Sequence, residues 1–360
     1  MSVSPHTDDA VRNQRIERFE ALVSPQELLD ELPLGDERAQ VVLDGRRRTH
    51  AIMDHRDDRL LIVVGPCSVH DPQATLEYAR RLVDQAQRLA PDVLVTMRVY
   101  FEKPRTTTGW KGLINDPLLN GSGDVNLGLR TARGLLLEIL ALGLPVGCEF
   151  LDPIIPQYIS DAVSWGAIGA RTVESQTHRQ LGSGLSMPVG FKNRTDGNVQ
   201  VAVDAVRAAA VPHAFTGIEM SGTPAIVYTH GNRDCHVILR GGSDGPNYDS
   251  ASVQRTVELL RASGLPARVM IDLSHANSGK DAARQPAVAA QVAEQIGQGN
   301  RAVVGAMLES FLVFGRQELG DGQLTYGQSI TDACLDWERT VEVLEQLAGA
   351  VRNRRCASPS

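Results

Sequence analysis

Short apolar runs alternate with stretches of helical periodicity through most of the chain. Eight runs of four to seven residues fall between residues 59 and 309, and they read LLIVV, VLVTM, LPVGCEF, AIGA, MPVGF, HVILR, RVMIDL and AVVGAM. Unbroken apolar runs are typical of strands in a parallel sheet, because helices cover such a sheet on both faces. Eight βα units over about 250 residues predict an α/β fold closed as a TIM (β/α)8 barrel, with an open doubly wound sheet as the alternative.

Two helices are predicted ahead of the repeat. Ser24 and Glu27 have the spacing of a capping box at the start of a short helix, and a second helix is expected from Asp36 toward Asp54. We therefore expect residues 1–58 to form an N-terminal helical extension that serves subunit contact or regulation. The simpler interpretation is a solvated cap on the core.

Further segments depart from the barrel pattern, which we assign to residues 59–352. Residues 214–234 are surplus to the repeat, and the alternation in AIVYTH with the turn sequence GNRD predicts an inserted β-hairpin. Residues 353–360 are polar, and we expect a disordered tail there.

Composition narrows the class of protein. The 360 residues are 42% hydrophobic with a net charge of −7, which is typical of a soluble globular chain and argues against sequence-independent binding of nucleic acid. No apolar run approaches the roughly 18 residues of a membrane span, and residues 1–10 lack the basic and apolar regions of a secretory signal. We therefore expect a cytoplasmic protein. The five cysteines show no paired spacing, so a disulfide framework is not expected.

Cations are concentrated in one segment of this acidic chain. Arg98, Lys103, Arg105 and Lys111 fall within fifteen residues that follow a predicted strand. Loops at strand ends carry binding groups on α/β scaffolds, so this segment predicts an anionic substrate. The alternative is a solvated surface loop in which Glu102 balances part of the charge.

Polar side chains follow each predicted strand at its carboxyl end. In chain order they are Cys67, Arg98, Glu149, Arg171, Lys192, Arg240, His275 and Glu309. A barrel brings these ends together on one face, where its active site is built. Four cations converging on one cavity would repel one another without an anion, so a phosphate or carboxylate guest is predicted.

A second set of residues has the chemistry of a metal site. Cys67, His275 and Glu309, with Asp332 from the SITDAC segment, combine a thiolate, an imidazole and two carboxylates. This mixture suits Mn, Fe, Co or Zn better than Mg or Ca. Taken singly, each residue has a plainer explanation, since a buried cysteine is usually a small hydrophobe. No nucleotide-binding P-loop, dinucleotide fingerprint or serine-nucleophile motif is present.

Long collinear motifs cover nearly the whole chain. They are GPCSVHD (65–71), MRVYFEKPRTTTGWKGLINDP (97–117), GARTVESQ (169–176), GFKN (190–193), LRGG (239–242), SHANS (274–278) and SITDAC (329–334). These motifs closely resemble type I 3-deoxy-D-arabino-heptulosonate 7-phosphate (DAHP) synthases. The resemblance implies a TIM barrel with an N-terminal extension and an added hairpin, and the first reaction of the shikimate pathway toward aromatic amino acids.

The resemblance also implies roles for individual residues. It implies a divalent metal ion, with Mn²⁺ favoured, on Cys67, His275, Glu309 and Asp332. It implies phosphoenolpyruvate on Arg98, Arg171, Lys192 and Arg240, and erythrose 4-phosphate on Lys103, Arg105 and Thr106. The expected catalytic residues are Lys103 as a proton donor, Glu149 as the group that orients water, and Lys192.

Feedback control is a further implication. Members of the family are commonly inhibited by an aromatic amino acid, and Pro153, Gln157, Phe215 and Gly217 occupy the matching positions here. Glycine at the last position resembles tyrosine-sensitive members, so tyrosine is favoured as the effector. We also expect a homo-oligomer, a dimer or tetramer.

Three departures from the family pattern leave other interpretations open. Arg194 stands where glycine is common, Cys148 where threonine is common, and VFGRQ replaces a more typical VEGNQ. These changes are compatible with a paralogue that serves a specialised aromatic pathway. The sequence also leaves two other functions open: a metal-independent aldolase with Lys192 as a Schiff-base amine, and a barrel that has lost catalysis and senses ligands.

Overall fold

A closed barrel of eight parallel strands forms the centre of the protein. The computed structural model describes residues 11–320 and 323–357, so the expectation for residues 1–10 lies outside the described residues. In chain order the strands are β1 (Leu60–Gly65), β2 (Val93–Arg98), β3 (Val146–Glu149), β4 (Trp165–Ile168), β5 (Val189–Lys192), β6 (Ala214–Ile218), β7 (Pro224–Tyr228), β8 (His236–Leu239), β9 (Val269–Asp272), β10 (Val303–Glu309), β11 (Val313–Arg316) and β12 (Gln328–Ser329). The barrel order is β1-β10-β9-β8-β5-β4-β3-β2, with β2 pairing back to β1.

Helices follow the barrel strands and cover the outside. They are α1 (Pro25–Glu31), α2 (Asp36–Met53), α3 (Pro72–Arg88), α4 (Val125–Ala141), α5 (Pro156–Ile159), α6 (Gln176–Gly184), α7 (Gln200–Ala209), α8 (Ser250–Ala262), α9 (Gln285–Gly297) and α10 (Trp337–Ala357). Every barrel strand is fully buried and falls on one of the eight apolar runs. The predicted TIM barrel is confirmed, and the open sheet is excluded.

The extension closes the amino-terminal end of the barrel. The capping box predicted at Ser24 is present: its side chain accepts a hydrogen bond from the Glu27 backbone N–H, and the Glu27 carboxylate accepts one from the Ser24 N–H. At the other end of the extension, Ile52 and Met53 of α2 pack in the same apolar cluster as Leu61 of β1. This helix therefore supplies part of the core.

The inserted hairpin is formed by β6 and β7, which pair antiparallel. Its turn spans residues 219–223, where Gly222 takes a φ of +81° and the Glu219 N–H donates to the Thr223 carbonyl. The GNRD sequence at 231–234 was expected to form a turn of this insertion, but it follows β7 and leads into β8. The glycine turn, favoured by its left-handed φ, sets the hairpin register.

The predicted disorder of residues 353–360 is wrong for residues 353–357, which continue α10. Val351 is buried where α10 packs against α9. Arg354 donates to the Asp58 carbonyl, and Arg355 forms an ion pair of 2.6 Å with the Asp58 carboxylate. These contacts order the last helical turn, while residues 358–360 lie outside the described residues. No helix in the described ranges has the length and apolarity needed to cross a bilayer.

Candidate active site

Eleven of the twelve residues predicted for metal, substrates and catalysis line one cavity of about 670 Å³. They are Cys67, Arg98, Lys103, Arg105, Thr106, Glu149, Arg171, Lys192, Arg240, His275 and Asp332. The twelfth, Glu309, is buried behind the wall, where its carboxylate contacts Arg98 at 3.0 Å and His275 at 3.6 Å. Side chains separated by up to 265 positions are thus brought together because the strands that carry them end on one face.

Three of the predicted metal ligands form a compact group. Ligand atoms of Cys67, Glu309 and Asp332 all lie within 4.8 Å of one another. His275 stands at the edge of this group, 3.6 Å from Glu309, on a residue with a left-handed φ of +51°. One thiol, one imidazole and two carboxylates fit a divalent transition metal.

A cation lies beside two members of the ligand group. The Lys103 ammonium lies 3.0 Å from the Cys67 sulfur and 2.8 Å from an Asp332 oxygen. Burial, and then the Glu309 carboxylate, raise the pKa of the Cys67 thiol to about 11, while Lys103 acts in the opposite direction. Burial would also raise the pKa of Asp332, but the charge and hydrogen bond of Lys103 outweigh it and hold that pKa below its usual range. The cluster therefore favours positive charge at its centre.

Two of the predicted phosphoenolpyruvate ligands are fixed by carboxylates. Arg98 is 2% exposed, donates to Glu309 and to the Cys67 carbonyl, and stacks its guanidinium 3.7 Å from the centre of the Tyr100 ring. Lys192 lies 3.3 Å from the Asp272 carboxylate. These partners hold both cations in one orientation before any ligand arrives.

Among the described residues, the other two have no carboxylate partner. Arg171 donates to the Thr106 hydroxyl at 3.1 Å. Arg240 is 6% exposed, and within residues 11–320 and 323–357 its guanidinium has no ion pair and its Nε has no hydrogen-bond partner. Burial lowers the pKa of Arg240, so an anion that paired with it would relieve an unfavourable burial of charge.

Asp272 is a site residue that the sequence analysis missed. It is fully buried at the end of β9, accepts hydrogen bonds from the backbone N–H and hydroxyl of Ser274, and has one oxygen 2.7 Å from Nδ1 of His275. The same oxygen faces Lys192. Its signal was the single acid inside the apolar run RVMIDL. Asp272 therefore touches both a predicted metal ligand and a predicted substrate ligand.

Glu149 has room to reach the cavity because a glycine follows the neighbouring strand β4. A Cβ on Gly169 would lie 2.3 Å from a carboxylate oxygen of Glu149. Cys148, one residue earlier, points its thiol to the Val99 carbonyl at 3.1 Å and does not line the cavity. The absence of a side chain at Gly169 thus leaves room for the Glu149 carboxylate.

The other family departures also lie outside the cavity wall. Arg194 pairs with Glu174 and Asp196 at 2.7 and 2.9 Å, and VFGRQ begins on the exposed strand β11. Lys111 of the cationic segment does not line the cavity either, whereas nine residues that were not predicted do, among them Thr195, Ser243 and Lys280. The segment's cations are therefore divided between the cavity and the surface.

The four predicted effector residues line a second, smaller cavity. Its volume is about 140 Å³, and its walls come from the loop after β3, from α6 and its C-terminal end, and from the hairpin. Pro153 and Gln157 stand on one side, and Phe215 and Gly217 of β6 on the other. The cavity has the size of a small molecule and is separate from the larger one.

Comparisons with known proteins agree with this architecture. The sequence profile described as the DAHP synthetase I family matches residues 35–345. A phospho-2-dehydro-3-deoxyheptonate aldolase from Corynebacterium glutamicum is 54% identical over 99% of both chains. The Phe-sensitive enzyme of that name from Escherichia coli is 54% identical over 95% of this chain and 97% of the relative, and the Tyr-sensitive one is 50% identical over 94% and 96%. A solved structure of the aldolase from Francisella tularensis superposes with a TM-score of 0.93 at 50% identity, covering 94% of this chain and 99% of the other.

Proposed function

The chain belongs to the DAHP synthetase I family and is a DAHP synthase, a transferase of aromatic biosynthesis, and we propose how its residues carry out the reaction. The proposed reaction joins phosphoenolpyruvate to erythrose 4-phosphate, consumes water and releases phosphate, with a divalent metal ion, as the first step of the shikimate pathway. The observation that carries the proposal is that three of the four predicted metal ligands line one cavity with the four predicted phosphoenolpyruvate ligands, while the fourth metal ligand, Glu309, lies directly behind its wall.

Phosphoenolpyruvate binds to four cations that line the cavity. Arg98 and Lys192, which buried carboxylates hold in place, receive its anionic groups together with Arg171 and Arg240. Arg240 supports this assignment, because its Nε has no hydrogen-bond partner among the described residues and a buried cation gains most from a dianionic phosphate. A substrate bound by several fixed groups loses little further freedom on the way to the transition state.

Erythrose 4-phosphate binds toward the cavity mouth. Arg105 and Thr106 supply a guanidinium and a hydroxyl for its phosphate, since both line the opening. Lys103 lies deeper, among the proposed metal ligands, and holds a proton for the aldehyde oxygen as the new bond forms. The two assignments place the phosphate of erythrose 4-phosphate near the cavity mouth and its aldehyde deeper in the cavity.

Cys67, His275, Glu309 and Asp332 hold the metal ion, for which Mn²⁺ is favoured and Fe²⁺, Co²⁺ and Zn²⁺ also suit the ligands. When bound, the metal polarises the aldehyde oxygen and makes the aldehyde carbon more electrophilic. The Asp272 carboxylate, next to Nδ1 of His275, holds the imidazole in its orientation.

Carbon–carbon bond formation comes first in the proposed sequence. C3 of phosphoenolpyruvate attacks the aldehyde carbon, and the aldehyde oxygen takes the proton from Lys103. Water, oriented by Glu149, then adds at C2. Phosphate leaves with its bridging oxygen by C–O cleavage as the C2 carbonyl forms, and the two protons of the water go to Lys103, which regains its ammonium form, and to the departing phosphate. The cations around C2 stabilise the charge on the enolpyruvate side throughout.

The first test is phosphoenolpyruvate consumption with erythrose 4-phosphate, before and after EDTA treatment and after Mn²⁺ is added back. We expect consumption that requires the aldehyde, stops with EDTA and returns with Mn²⁺. Consumption that continues in EDTA, together with a covalent substrate adduct after borohydride treatment, would indicate a Schiff base on Lys192 instead. Such a Schiff base would break the Lys192–Asp272 ion pair. No consumption under any condition would favour a ligand-sensing barrel.

The smaller cavity is proposed to bind an aromatic amino acid that inhibits the enzyme. Support comes from Phe- and Tyr-sensitive relatives and from the cavity's Phe215 and two proline side chains. Tyrosine is favoured over phenylalanine on the strength of Gly217. An inhibition series with tyrosine, phenylalanine and tryptophan tests this choice, which fails if tyrosine is the weakest.

We further propose that the protein acts in the cytoplasm as a homo-oligomer, a dimer or tetramer. The most exposed large apolar side chains in the described ranges include Val11 and Phe19 of the extension and Tyr228 of the hairpin, which a subunit contact would cover. Sedimentation velocity at micromolar concentration tests the assembly, and a monomer there would contradict it.

A further inference from the structure

Arg98 has an acceptor for nearly every N–H group of its guanidinium. Nε donates to the Pro66 carbonyl at 3.0 Å, and Nη2 donates to the Cys67 carbonyl at 2.9 Å and to the Glu309 carboxylate at 3.0 Å. Nη1 donates to the sulfur of Met307 at 3.1 Å. Since Nε carries one hydrogen and each Nη carries two, a single N–H of Nη1 is left without a partner among the described residues. Arg98 lines the larger cavity, so this N–H is the one that it can offer to an anion.

The strand order explains how these acceptors reach Arg98. Strand β1 pairs with β2 on one side and with β10 on the other. Arg98 ends β2, Pro66 and Cys67 directly follow β1, and Met307 and Glu309 lie two positions apart on β10. Residues two apart on a strand face the same side, which is why both side chains of β10 meet the guanidinium. Three adjacent strands therefore contribute to the orientation of one side chain.

Met307 lies at the boundary between the apolar interior of the barrel and this charged side chain. It is fully buried and packs in the same apolar cluster as Leu61 and Met270. A carboxylate or amide at this position would bury a polar group against that cluster, whereas a leucine would offer Nη1 no acceptor. A thioether is apolar along its length and still a weak acceptor at its sulfur, so methionine meets both requirements.

Tyr100 covers one face of the same guanidinium. Its ring centre lies 3.7 Å from Cζ of Arg98, which is the geometry of a cation–π contact. Tyr100 is 1% exposed, and its hydroxyl has no hydrogen-bond partner in the part of the chain that the structure describes. The contact with Arg98 therefore depends on the ring and not on the hydroxyl.

We propose that Met307 and Tyr100 are positioning residues for the binding of phosphoenolpyruvate. Met307 fixes the guanidinium of Arg98 within its plane, and Tyr100 fixes the plane itself, so that the remaining N–H of Nη1 is directed into the cavity. The inference rests on the proposed function, in which Arg98 binds this substrate. Without either contact the guanidinium can turn, and ordering it again at each binding event weakens the affinity for phosphoenolpyruvate. Binding of erythrose 4-phosphate, which does not use Arg98, is largely unaffected.

The first test compares Met307→Leu with Met270→Leu. Both methionines are buried in one cluster on the paired strands β10 and β9, but the sulfur that accepts from Arg98 is that of Met307. Loss of a hydrogen bond to a charged group should raise the KM for phosphoenolpyruvate at least about fivefold in Met307→Leu, while the KM for erythrose 4-phosphate stays within about twofold. Met270→Leu should match the wild type in both constants. Equal KM values for phosphoenolpyruvate in the two variants would overturn the role of Met307.

A second preparation removes the sulfur and keeps the shape of the side chain. Protein produced with norleucine in place of methionine has an unbranched side chain of the same length, with a methylene group where the sulfur was, so it tests the inference even if Met307→Leu fails to fold. Its KM for phosphoenolpyruvate should rise as in Met307→Leu, because Nη1 of Arg98 again loses its acceptor. A wild-type KM in the norleucine protein would count against the sulfur contact.

Tyr100→Leu and Tyr100→Phe separate the ring from the hydroxyl. Leucine removes the aromatic face, and the KM for phosphoenolpyruvate should rise at least about tenfold, the size of a desolvated cation–π contact. Phenylalanine keeps the face, so the KM should stay within about threefold of wild type, and the free energy of unfolding should not fall, because the hydroxyl that is lost has no partner. A Tyr100→Phe protein as impaired as Tyr100→Leu would overturn the role of the ring.

Calorimetry separates this inference from the proposed function. Phosphoenolpyruvate is titrated into the Mn²⁺-loaded wild type and variants without erythrose 4-phosphate, and the dissociation constants should rise in the same order as the KM values. Wild-type dissociation constants in both Met307→Leu and Tyr100→Leu would overturn the inference alone. A wild-type protein that neither binds nor consumes phosphoenolpyruvate would overturn the proposed function, and the inference with it.

Discussion

Asp272 holds one carboxylate oxygen 2.7 Å from Nδ1 of His275. The same oxygen lies 3.3 Å from the Lys192 ammonium, so a single buried charge serves the proposed metal site and the proposed phosphoenolpyruvate site. We expect Asp272→Asn to weaken metal binding by about 10- to 100-fold, the usual effect of losing a residue that orients a ligand. It should also raise the KM for phosphoenolpyruvate, because Lys192 loses its partner.

Metal affinity is measured by equilibrium dialysis, so the readout does not depend on turnover. Asp281→Asn is the matched control, because Asp281 lies in the same connection after β9 but is exposed and only caps a short helical turn. If metal affinity and KM both match wild type in Asp272→Asn, this carboxylate has no role in either site.

Cys67→Ala should remove the metal and, with it, turnover. Loss of a metal ligand should weaken metal binding more than loss of a residue that only orients a ligand, so we expect activity to fall by more than about a hundredfold. The buried Cys235, which precedes β8 at the far end of the barrel, provides the control variant Cys235→Ala. Metal content by elemental analysis and circular dichroism check the result, and full activity in a metal-free Cys67→Ala protein would refute the ligand set.

Gly169→Ala should reduce turnover through Glu149. The added methyl group would lie 2.3 Å from the Glu149 carboxylate, so the side chain must move from the place where it orients water. We expect kcat to fall at least about tenfold, within the usual range for an acid–base group. The substitution Gly134→Ala in α4 meets no atom within 4 Å and should instead stabilise the protein by up to about 1 kcal/mol. Unchanged kcat in Gly169→Ala would remove Glu149 from the mechanism.

His236 should make the barrel sensitive to acid. Burial lowers its pKa to about 3, and its ring lies 3.3 Å from the indole nitrogen of Trp165, which donates to it. The unfolded pKa is about 6.5, so the folded state binds fewer protons between these values; its stability is complete above about pH 6.5 and is lost as pH falls. Between about pH 6.5 and 4 the loss should reach about 3 kcal/mol.

Urea denaturation of EDTA-treated protein across this pH range measures the effect without a contribution from metal release. His236→Gln keeps a polar side chain at the position but cannot titrate, so its free energy of unfolding should depend less on pH. Parallel pH profiles for the two proteins would show that folding does not lower the pKa of His236.

The barrel could be predicted because its strands obey a rule that sequence displays directly. A strand buried on both faces needs an unbroken apolar run, and all eight runs met that need. Because the strands of a closed barrel end on one face, the polar residues that follow the runs lie close together. Cys67 and Arg240 could be grouped on this ground alone, although 173 residues separate them.

The connections among those residues could not be predicted in the same way. Asp272 lies inside an apolar run, and only the structure shows that it faces Lys192 and His275. Glu102 resembled a counter-charge in a surface loop, yet its partners are backbone N–H groups about fifty residues away. Backbone donors leave no trace in residue identity, which is why such links escape sequence analysis.

The end of α10 binds the residue that leads into β1, since Arg354 and Arg355 both contact Asp58. The first and last units of the barrel are therefore neighbours, and no unit is first or last in space. A circular permutant that joins the end of α10 by a linker to the amino-terminal extension, so that Ile52 and Met53 stay in the core, and opens a surface loop between two other units should form the same barrel. The position at which the chain enters the ring of eight units therefore does not determine this fold.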